Sequence, residues 1–383
     1  MRLKRVTVRD FRCYERAEVS LGPGLTVITG PNGAGKTNLL DALYFGCTGR
    51  SCRTSNEREL IRFGQGATRV VATVSGVDSE HELAVGFSPG EVKRMTADGA
   101  PVQRLLDVAQ RPLISVFDPD RLELIKGAPS VRRAHIDQFV AALWPARTAA
   151  RKAYAQALAQ RNALIARVRG EGASERVRAA FEPWDLQLAR HGIELMGDRR
   201  AALDTVSEPF AGCCDLLGLE GEPRIAYRPR SRATTVEELV AELAERLSSD
   251  LERGFSGHGP HRDDVSVSRA GRELRNYGSQ GQQRLALLGW LLAEREALAD
   301  RRESTPLMLL DDVMSELDAG RREALIELLR SGDGQSVITA TEAEQVPGAE
   351  QSDVHRLEVR DGVVVANPDS PRAEHCEIAA AEH

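Results

Sequence analysis

Apolar and polar residues alternate over residues 1–29, at Leu3, Val6 and Val8 and again at Val19 and Leu21, with a turn at Gly22-Pro23-Gly24. That pattern predicts two or three strands ending in the unbroken apolar run Leu25–Thr29. Leu39, Leu40 and Leu43 then recur at helical spacing. Thr68–Ser75, Glu80–Phe87 and Val92–Ala97 read as short strands of an antiparallel meander, separated by turn residues at 76–78, 88–90 and 98–99. Leu113–Phe117 is a further buried strand, ending at Asp118-Pro119-Asp120. From about Pro129 to Leu251 the period becomes helical, through Tyr154, Leu158, Ile165 and Val168, then Phe181, Leu188, Leu195 and Leu203. Gly170-Glu171-Gly172 divides this stretch into a helical hairpin, a lid or arm whose helices of about 24 residues would be about 36 Å long. A helix pattern follows from Asn276 (Leu285, Leu288, Leu291, Leu292). Next come an apolar strand from Pro306 to Leu310, a helix through Arg330 and a strand at Ser336–Thr341.

These elements predict an α/β fold of interrupted layout. Residues 1–128 and 252–365 form a nucleotide-binding lobe in two parts, 129–251 a helical lid or arm, and 366–383 a disordered tail. The chain's 383 residues, 42% hydrophobic and 28% charged, suit two or three globular domains. No apolar run approaches membrane-spanning length and Met1–Val6 lacks a signal-peptide pattern, so a cytoplasmic protein without membrane contact is expected. Cys13, Cys47, Cys52, Cys213, Cys214 and Cys376 include no C-x-x-C pair and read as reduced thiols. Net charge is −6, but residues 342–383 hold ten acidic against three basic residues, which leaves +1 for residues 1–341. Basic clusters at 2–12, 121–133, 147–152 and 224–232 are compatible with a polyanionic partner.

Chemistry enters at Gly30-Pro31-Asn32-Gly33-Ala34-Gly35-Lys36-Thr37-Asn38, the spacing G-x-x-x-x-G-K-[ST] between a strand pattern and a helix pattern. The glycines let the backbone turn and present N–H groups to phosphate, and the following helix start adds positive dipole. Lys36 is placed to reach the β- and γ-phosphates, and the Thr37 hydroxyl to bind Mg²⁺. Asp311, at the end of an apolar strand, suits a Mg²⁺ ligand acting through water, and Asp312 suits a carboxylate that polarises the attacking water. In Phe11-Arg12-Cys13-Tyr14 the arginine could approach a nucleotide, whereas the two rings read as core.

Ser279-Gln280-Gly281-Gln282 offers a hydroxyl and N–H groups at a helix start, a second anion site far along the chain from the first. It resembles the Ser-Gly-Gly-Gln signature of the ABC-type ATPases, and Ser315-Glu316-Leu317-Asp318 resembles their D-loop. The resemblance implies an ABC-type P-loop ATPase head in which Ser279 to Gln282 cap the γ-phosphate of ATP held by a second subunit. ATP would then drive homodimerisation. Two segments are similar to those of the RecF family of bacterial recombination mediators: Phe117–Leu122 continuing through Ile125–Pro129 to Arg132, Arg133 and Asp137, and Gly257-His258-Gly259-Pro260-His261-Arg262-Asp263-Asp264. That likeness implies a DNA-dependent ATPase of recombinational repair and replication that closes on duplex DNA near single-strand gaps. It would help load recombinase with RecR and RecO, and slow hydrolysis would reset the dimer. The alternatives are an ATP-gated DNA clamp with incidental hydrolysis and the ATPase subunit of an ABC transporter. Three departures from the ABC pattern stand out: Gln280 for a glycine, Asp312 for the usual glutamate, and Thr339 and Thr341 where a switch histidine is common. Gln110 and Asp118–Asp120 compete for the glutamine-loop role. His258, His261 and Asp263 could also form a metal site, although a structural polar turn is the commoner outcome for such a segment.

Overall fold

Strands β1 (Arg2–Phe11) and β2 (Tyr14–Ser20) pair antiparallel across the tight turn at Arg12 and Cys13, and β3 (Leu25–Thr29) leads to helix α1 (Lys36–Thr48). Then come β4 (Thr68–Ser75), β5 (Glu80–Phe87), β6 (Arg94–Ala97), the short β7 (Ala100–Pro101) and β8 (Ile114–Phe117). An antiparallel sheet forms in the order β2-β1-β4-β5-β6-β7. Its alternation is the cause of its packing. Val6 and Val8, Val70, Ala72 and Val74, and Leu83 and Val85 all turn to one face and cluster with Leu39, Leu43 and Phe45 of α1. Each valine or leucine among them contributes about 1.5–3 kcal/mol on burial. The computed structural model describes residues 1–76, 79–118, 122–302 and 304–366. The expected disordered tail, apart from Ala366, and the Pro119–Asp120 end of the 118–120 segment lie outside them.

The next unit, Arg121–Arg302, opens with α2 (Glu123–Lys126), α3 (Pro129–Leu143) and α4 (Thr148–Arg167). α5 (Glu175–Leu216) completes the hairpin with α4 around Gly170 and Gly172. At 42 residues it is a single helix about 63 Å long, well beyond the expected length, and Pro183 and Pro209 lie inside it. The unit continues through β9 (Arg224–Arg228), α6 (Val236–Arg253), β10 (Asp264–Arg269), β11 (Arg272–Glu273), α7 (Leu274–Tyr277) and α8 (Gln280–Arg302). α6 starts in a Thr235–Glu238 capping box and buries Leu239, Leu243, Leu247 and Leu251 at four-residue steps. Two results depart from expectation. β9 lies within the stretch read as helical, and β10 and β11 follow the segment read as a turn; together they make a three-stranded antiparallel sheet. Residues 252–302, expected with the nucleotide-binding lobe, group with the helical unit, because β10 is laddered to β9 and α8 packs along α5.

The first unit resumes with β12 (Leu307–Leu310), α9 (Ala319–Arg330), β13 (Ser336–Ala340), β14 (His355–Arg360) and β15 (Val363–Ala366). They join β3 and β8 in a second sheet ordered β15-β14-β3-β13-β12-β8, parallel throughout except for β15. Met308, Leu309, Leu310, Val337 and Ile338 are fully buried, as parallel strands covered on both faces require. β14 and β15 were not foreseen. Asp361 and Gly362 between them both have positive φ, the geometry of a tight two-residue hairpin turn. The side-chain amide of Gln335 accepts from Leu3 N–H at 3.0 Å and donates to Leu3 O at 2.8 Å and Gly22 O at 2.7 Å, which ties β1 to the approach of β13.

Candidate nucleotide-binding site

β3, β13 and β12 run parallel in that order, so the residues leaving their C-terminal ends share one edge of the sheet. Such an edge is where open α/β sheets bind ligands. From β3 the chain passes through Gly30–Gly35 into α1. Gly30 has φ 148°, and a Cβ there would come within 2.1 Å of Val359 O; Gly35 has φ 116°, and a Cβ there would come within 2.8 Å of Cys13 Sγ and 2.9 Å of Tyr14 Oη. Both positions therefore demand glycine. The Tyr14 hydroxyl fixes the end of the loop by donating to Gly35 O at 2.9 Å. Gly30 N–H donates to Thr341 O at 3.3 Å.

Helix α1 begins without any side-chain cap and without an acidic residue in its first turn. Its leading N–H groups are thus left for an external anion. Lys36, 8% exposed, curls back so that Nζ donates to Gly30 O at 2.6 Å and Pro31 O at 3.0 Å. Burial lowers its pKa from the ordinary lysine value, while the negative charges of Asp312 and Asp311 pull it upward. Thr37 and Asn38 follow, half-buried.

The acidic side of the site is organised by a residue with no assigned role in the sequence. Thr339, fully buried in β13, donates from Oγ1 to Asp311 Oδ1 at 2.7 Å, and the same oxygen accepts the Asp312 N–H at 2.9 Å. Among the described residues, the second oxygen of Asp311 and the carboxylate of Asp312 accept no hydrogen bond. An ammonium, uncapped helix N–H groups and two available carboxylates are a donor set that fits a nucleotide triphosphate with a divalent cation. Asp312 itself sits in the left-handed region at φ 43°.

Around this edge, Phe11 and Tyr14 are fully buried, in keeping with the core role expected of them. Arg12, at φ 52°, turns its guanidinium onto Asp41 of α1 at 2.8 Å, and Ser51 Oγ donates to the same carboxylate at 2.8 Å. The arginine is thereby a brace for α1. Asp118 leaves β8 beside Asp311, whose N–H donates to Phe117 O at 3.0 Å. Gln110 instead precedes β8, towards the opposite end of the strand.

Ser279–Gln282 belong to the other unit and open α8. Gln282 N–H donates to Ser279 Oγ at 3.2 Å and Ser279 N–H to Gln282 Oε1 at 3.0 Å, a reciprocal capping box. Ser279, Gln280 and Gly281 are exposed. Gln280 has no positive φ, so a side chain in the place of the family's glycine carries no backbone strain. Ser315 Oγ donates to Asp312 O at 2.8 Å, and Asp318 caps α9 by accepting Arg321 N–H at 3.0 Å.

The 257–264 segment is a structural hub of the helical unit. His258 Nε2 lies 2.5 Å from Glu242. His261 Nε2 donates to Ser256 O at 2.9 Å and its Nδ1 accepts the Tyr154 hydroxyl at 2.7 Å. Asp263 takes Arg230 N–H at 2.6 Å and the Tyr227 hydroxyl. Arg199 grips Asp137 through two bonds of 2.7 and 3.0 Å and donates to Pro260 O at 2.8 Å. Among the described residues no three His, Cys, Asp or Glu side chains are placed to hold a metal ion. Burial drives the His261 imidazole down to about 4, so it is neutral.

The RecF/RecN/SMC N terminal domain family matches residues 2–363. Two proteins named DNA replication and repair protein RecF, from Myxococcus xanthus and Herpetosiphon aurantiacus, are 36% and 34% identical to this chain. The alignments cover 97% and 95% of it, and 98% and 99% of theirs. This chain belongs to the RecF family. Solved structures of the recombination mediator protein RecF in the RecFOR pathway, RecF-ATP and RecF-ATPrS, match with TM-scores of 0.82 and 0.80 at 28% and 29% identity. They cover 96% and 95% of this chain and 97% of each of those chains. An SMC head bound to the C-winged helix domain of ScpA matches at TM-score 0.59 and 17% identity, a likeness of fold, over 96% of this chain and 98% of that one. The fold is that of an ABC-type ATPase head, a mixed sheet with flanking helices and an antiparallel meander, joined to a helical unit. No helix among the described residues is long and apolar enough to cross a membrane.

Proposed function

We propose that this RecF-family protein is an ATP-dependent DNA-binding protein of recombinational repair and DNA replication, in which ATP joins two subunits on duplex DNA near single-strand gaps. The observation that carries the reading is the division of the motifs. The uncapped α1 start, Lys36 and the Asp311–Asp312 pair lie on one sheet edge, while the exposed Ser279–Gln282 start belongs to the other unit. Gly30 to Asn38 would wrap the phosphates, Lys36 exchanging its two loop carbonyls for phosphate oxygens. Thr37 and Asp311 would hold Mg²⁺, which supplies charge neutralisation of the triphosphate when bound. Asp312 would orient and deprotonate the attacking water. Ser279, Gln280, Gly281 and Gln282 would close over the γ-phosphate of the partner subunit's ATP. Hydrolysis would be slow and would reset the dimer. RecR and RecO are the mediator partners the family reading implies, and the compartment is the cytoplasm.

Sedimentation with and without ATP and gapped duplex DNA, over a salt series, tests the reading. The expected result is a monomer that becomes a dimer with ATP and a salt-sensitive DNA complex. A chain that stays monomeric on DNA with ATP would refute it.

A further inference from the structure

The solvent face of the antiparallel sheet carries a row of arginines that the fold does not explain. Arg16 of β2 lies directly opposite Arg9 of β1, and Arg9 opposite Arg69 of β4. Arg69 in turn lies opposite Gly86 of β5, and Gly86 opposite Arg94 of β6. Directly opposed residues share a face, so four guanidinium groups line up across five strands, about 19 Å at the usual strand spacing. All four arginines are exposed, while the alternate positions Val8, Val70 and Val85 turn into the core.

Like charges directly opposed across a ladder are destabilising. The acidic residues nearby are mostly engaged elsewhere: Glu18 with Arg5 at 3.2 Å, and Asp10 and Glu15 with Arg62 at 3.2 and 3.1 Å. Arg9 keeps a contact of 3.8 Å to Asp10, and Arg94 one of 3.4 Å to Glu91. Among the described residues the side chains of Arg16 and Arg69 make no ion pair or hydrogen bond. Gly86 adds an independent oddity. A Cβ there would meet nothing nearer than Thr68 O at 3.9 Å, so packing does not require glycine in this strand. Its effect is a bare strip of backbone in the middle of the row. At the Phe11 end of β1, Ile61 bridges Phe11, and Arg62 N–H bonds Asp10 O at 2.9 Å. Immediately beyond, Phe63 is 100% exposed on a turn closed by Gln65 N–H to Arg62 O at 3.0 Å.

We infer that this sheet face is where the sugar–phosphate backbone of a nucleic acid lies, with Arg16, Arg9, Arg69 and Arg94 on phosphates and Phe63 against the sugars at one end. A row of planar guanidinium groups held at strand spacing, with Arg16 and Arg69 lacking an internal partner and Arg9 and Arg94 keeping only contacts of 3.8 and 3.4 Å, is matched by a regularly repeating anion. The row spans about half of a duplex helical turn. From the proposed function this takes only the identity of the polyanion, duplex DNA.

The test is binding of a fluorescein-labelled duplex of about 40 base pairs, with ATP, over a salt series. Arg9→Gln/Arg16→Gln/Arg69→Gln should lose at least about tenfold in affinity, and its log–log salt slope should fall by about 2–3. Its melting temperature should hold or rise as the repulsion is relieved. Gly86→Glu puts a carboxylate between Arg69 and Arg94 and should raise the melting temperature while weakening DNA binding, opposite signs that a purely structural surface would not give. Sedimentation with ATP should be unchanged in both variants. If the wild type binds duplex and both variants bind it with the same affinity and slope, the surface assignment is overturned and the DNA-binding reading stands. If the wild type binds no duplex at any salt, both fall.

Discussion

Thr339 and Asp311 are joined by a buried hydrogen bond of 2.7 Å, and the same threonine oxygen holds the Asp312 N–H at 2.9 Å. One hydroxyl on the strand between β3 and β12 thus holds the Asp311 carboxylate and the backbone that presents Asp312. Thr339→Val keeps the shape and removes the hydroxyl, leaving a buried acceptor unmatched at a cost of about 1–3 kcal/mol and freeing the part-buried Asp312 N–H. Thermal melting should show a loss of several degrees, and the stabilisation given by ATP with Mg²⁺ should be largely lost. Thr339→Ser should recover both. Unchanged melting with and without nucleotide in the valine variant would remove Thr339 from the site.

Asp312 is one methylene shorter than the glutamate common in ABC-type ATPases, and its backbone gives a physical reason. A residue at φ 43° favours Asp or Asn, whose short polar side chains tolerate the left-handed region. Asp312→Asn should therefore fold normally, bind ATP and dimerise, yet lose at least about tenfold in turnover. Single-turnover assays with radiolabelled ATP check this. DNA release by the same variant separates two roles for hydrolysis: retained complexes mean hydrolysis resets the dimer, and undiminished release means it is incidental. A DNA-independent wild-type rate of hundreds per second, near the top of the usual enzyme range, would contradict slow turnover.

His261 carries a pH signature. Burial holds its pKa at about 4 in the folded chain against an ordinary 6.5. Between those values the unfolded state binds the extra proton, so the stability it lends is complete above pH 6.5 and declines as pH falls towards 4. The full swing is about 3 kcal/mol. Urea midpoints at pH 7.5 and 4.5 should fall less with acid for His261→Asn than for wild type. Equal acid sensitivity in the two proteins would show that His261 is not buried neutral between Tyr154 and Ser256.

Much of the site was legible because its residues are neighbours in sequence. Gly30–Asn38 lies between a strand and a helix, and Asp311-Asp312 closes an apolar run, so local pattern sufficed. The Thr339 hydroxyl was invisible because its meaning comes from the register of β13 against β12. Gln335 was missed likewise, since its amide reaches residues at the far end of the chain. β9 and β10 escaped because both are short and the sequence around them is rich in charge; their pairing with each other, rather than their own pattern, makes them strands. Ser279-Gln280-Gly281-Gln282 was read as an anion site alone, although Ser and Gln three apart at a helix start also spell a capping box. The Asp361-Gly362 turn carried a hairpin signal that the weak alternation of its flanks obscured.

The central claim is that the nucleotide site is completed by a second molecule, and mixing two defective variants tests it most directly. Lys36→Ala removes the ammonium proposed to bind phosphate and Ser279→Arg fills the helix start proposed to cap the partner's ATP, so neither alone should dimerise with ATP. In a mixed dimer both defects fall in one site and the other site is intact. Sedimentation of an equimolar mixture with ATP should reveal a dimer absent from either variant alone, with ATP turnover of about half the wild-type value per dimer. A mixture that sediments and hydrolyses as the average of its two components would contradict the account.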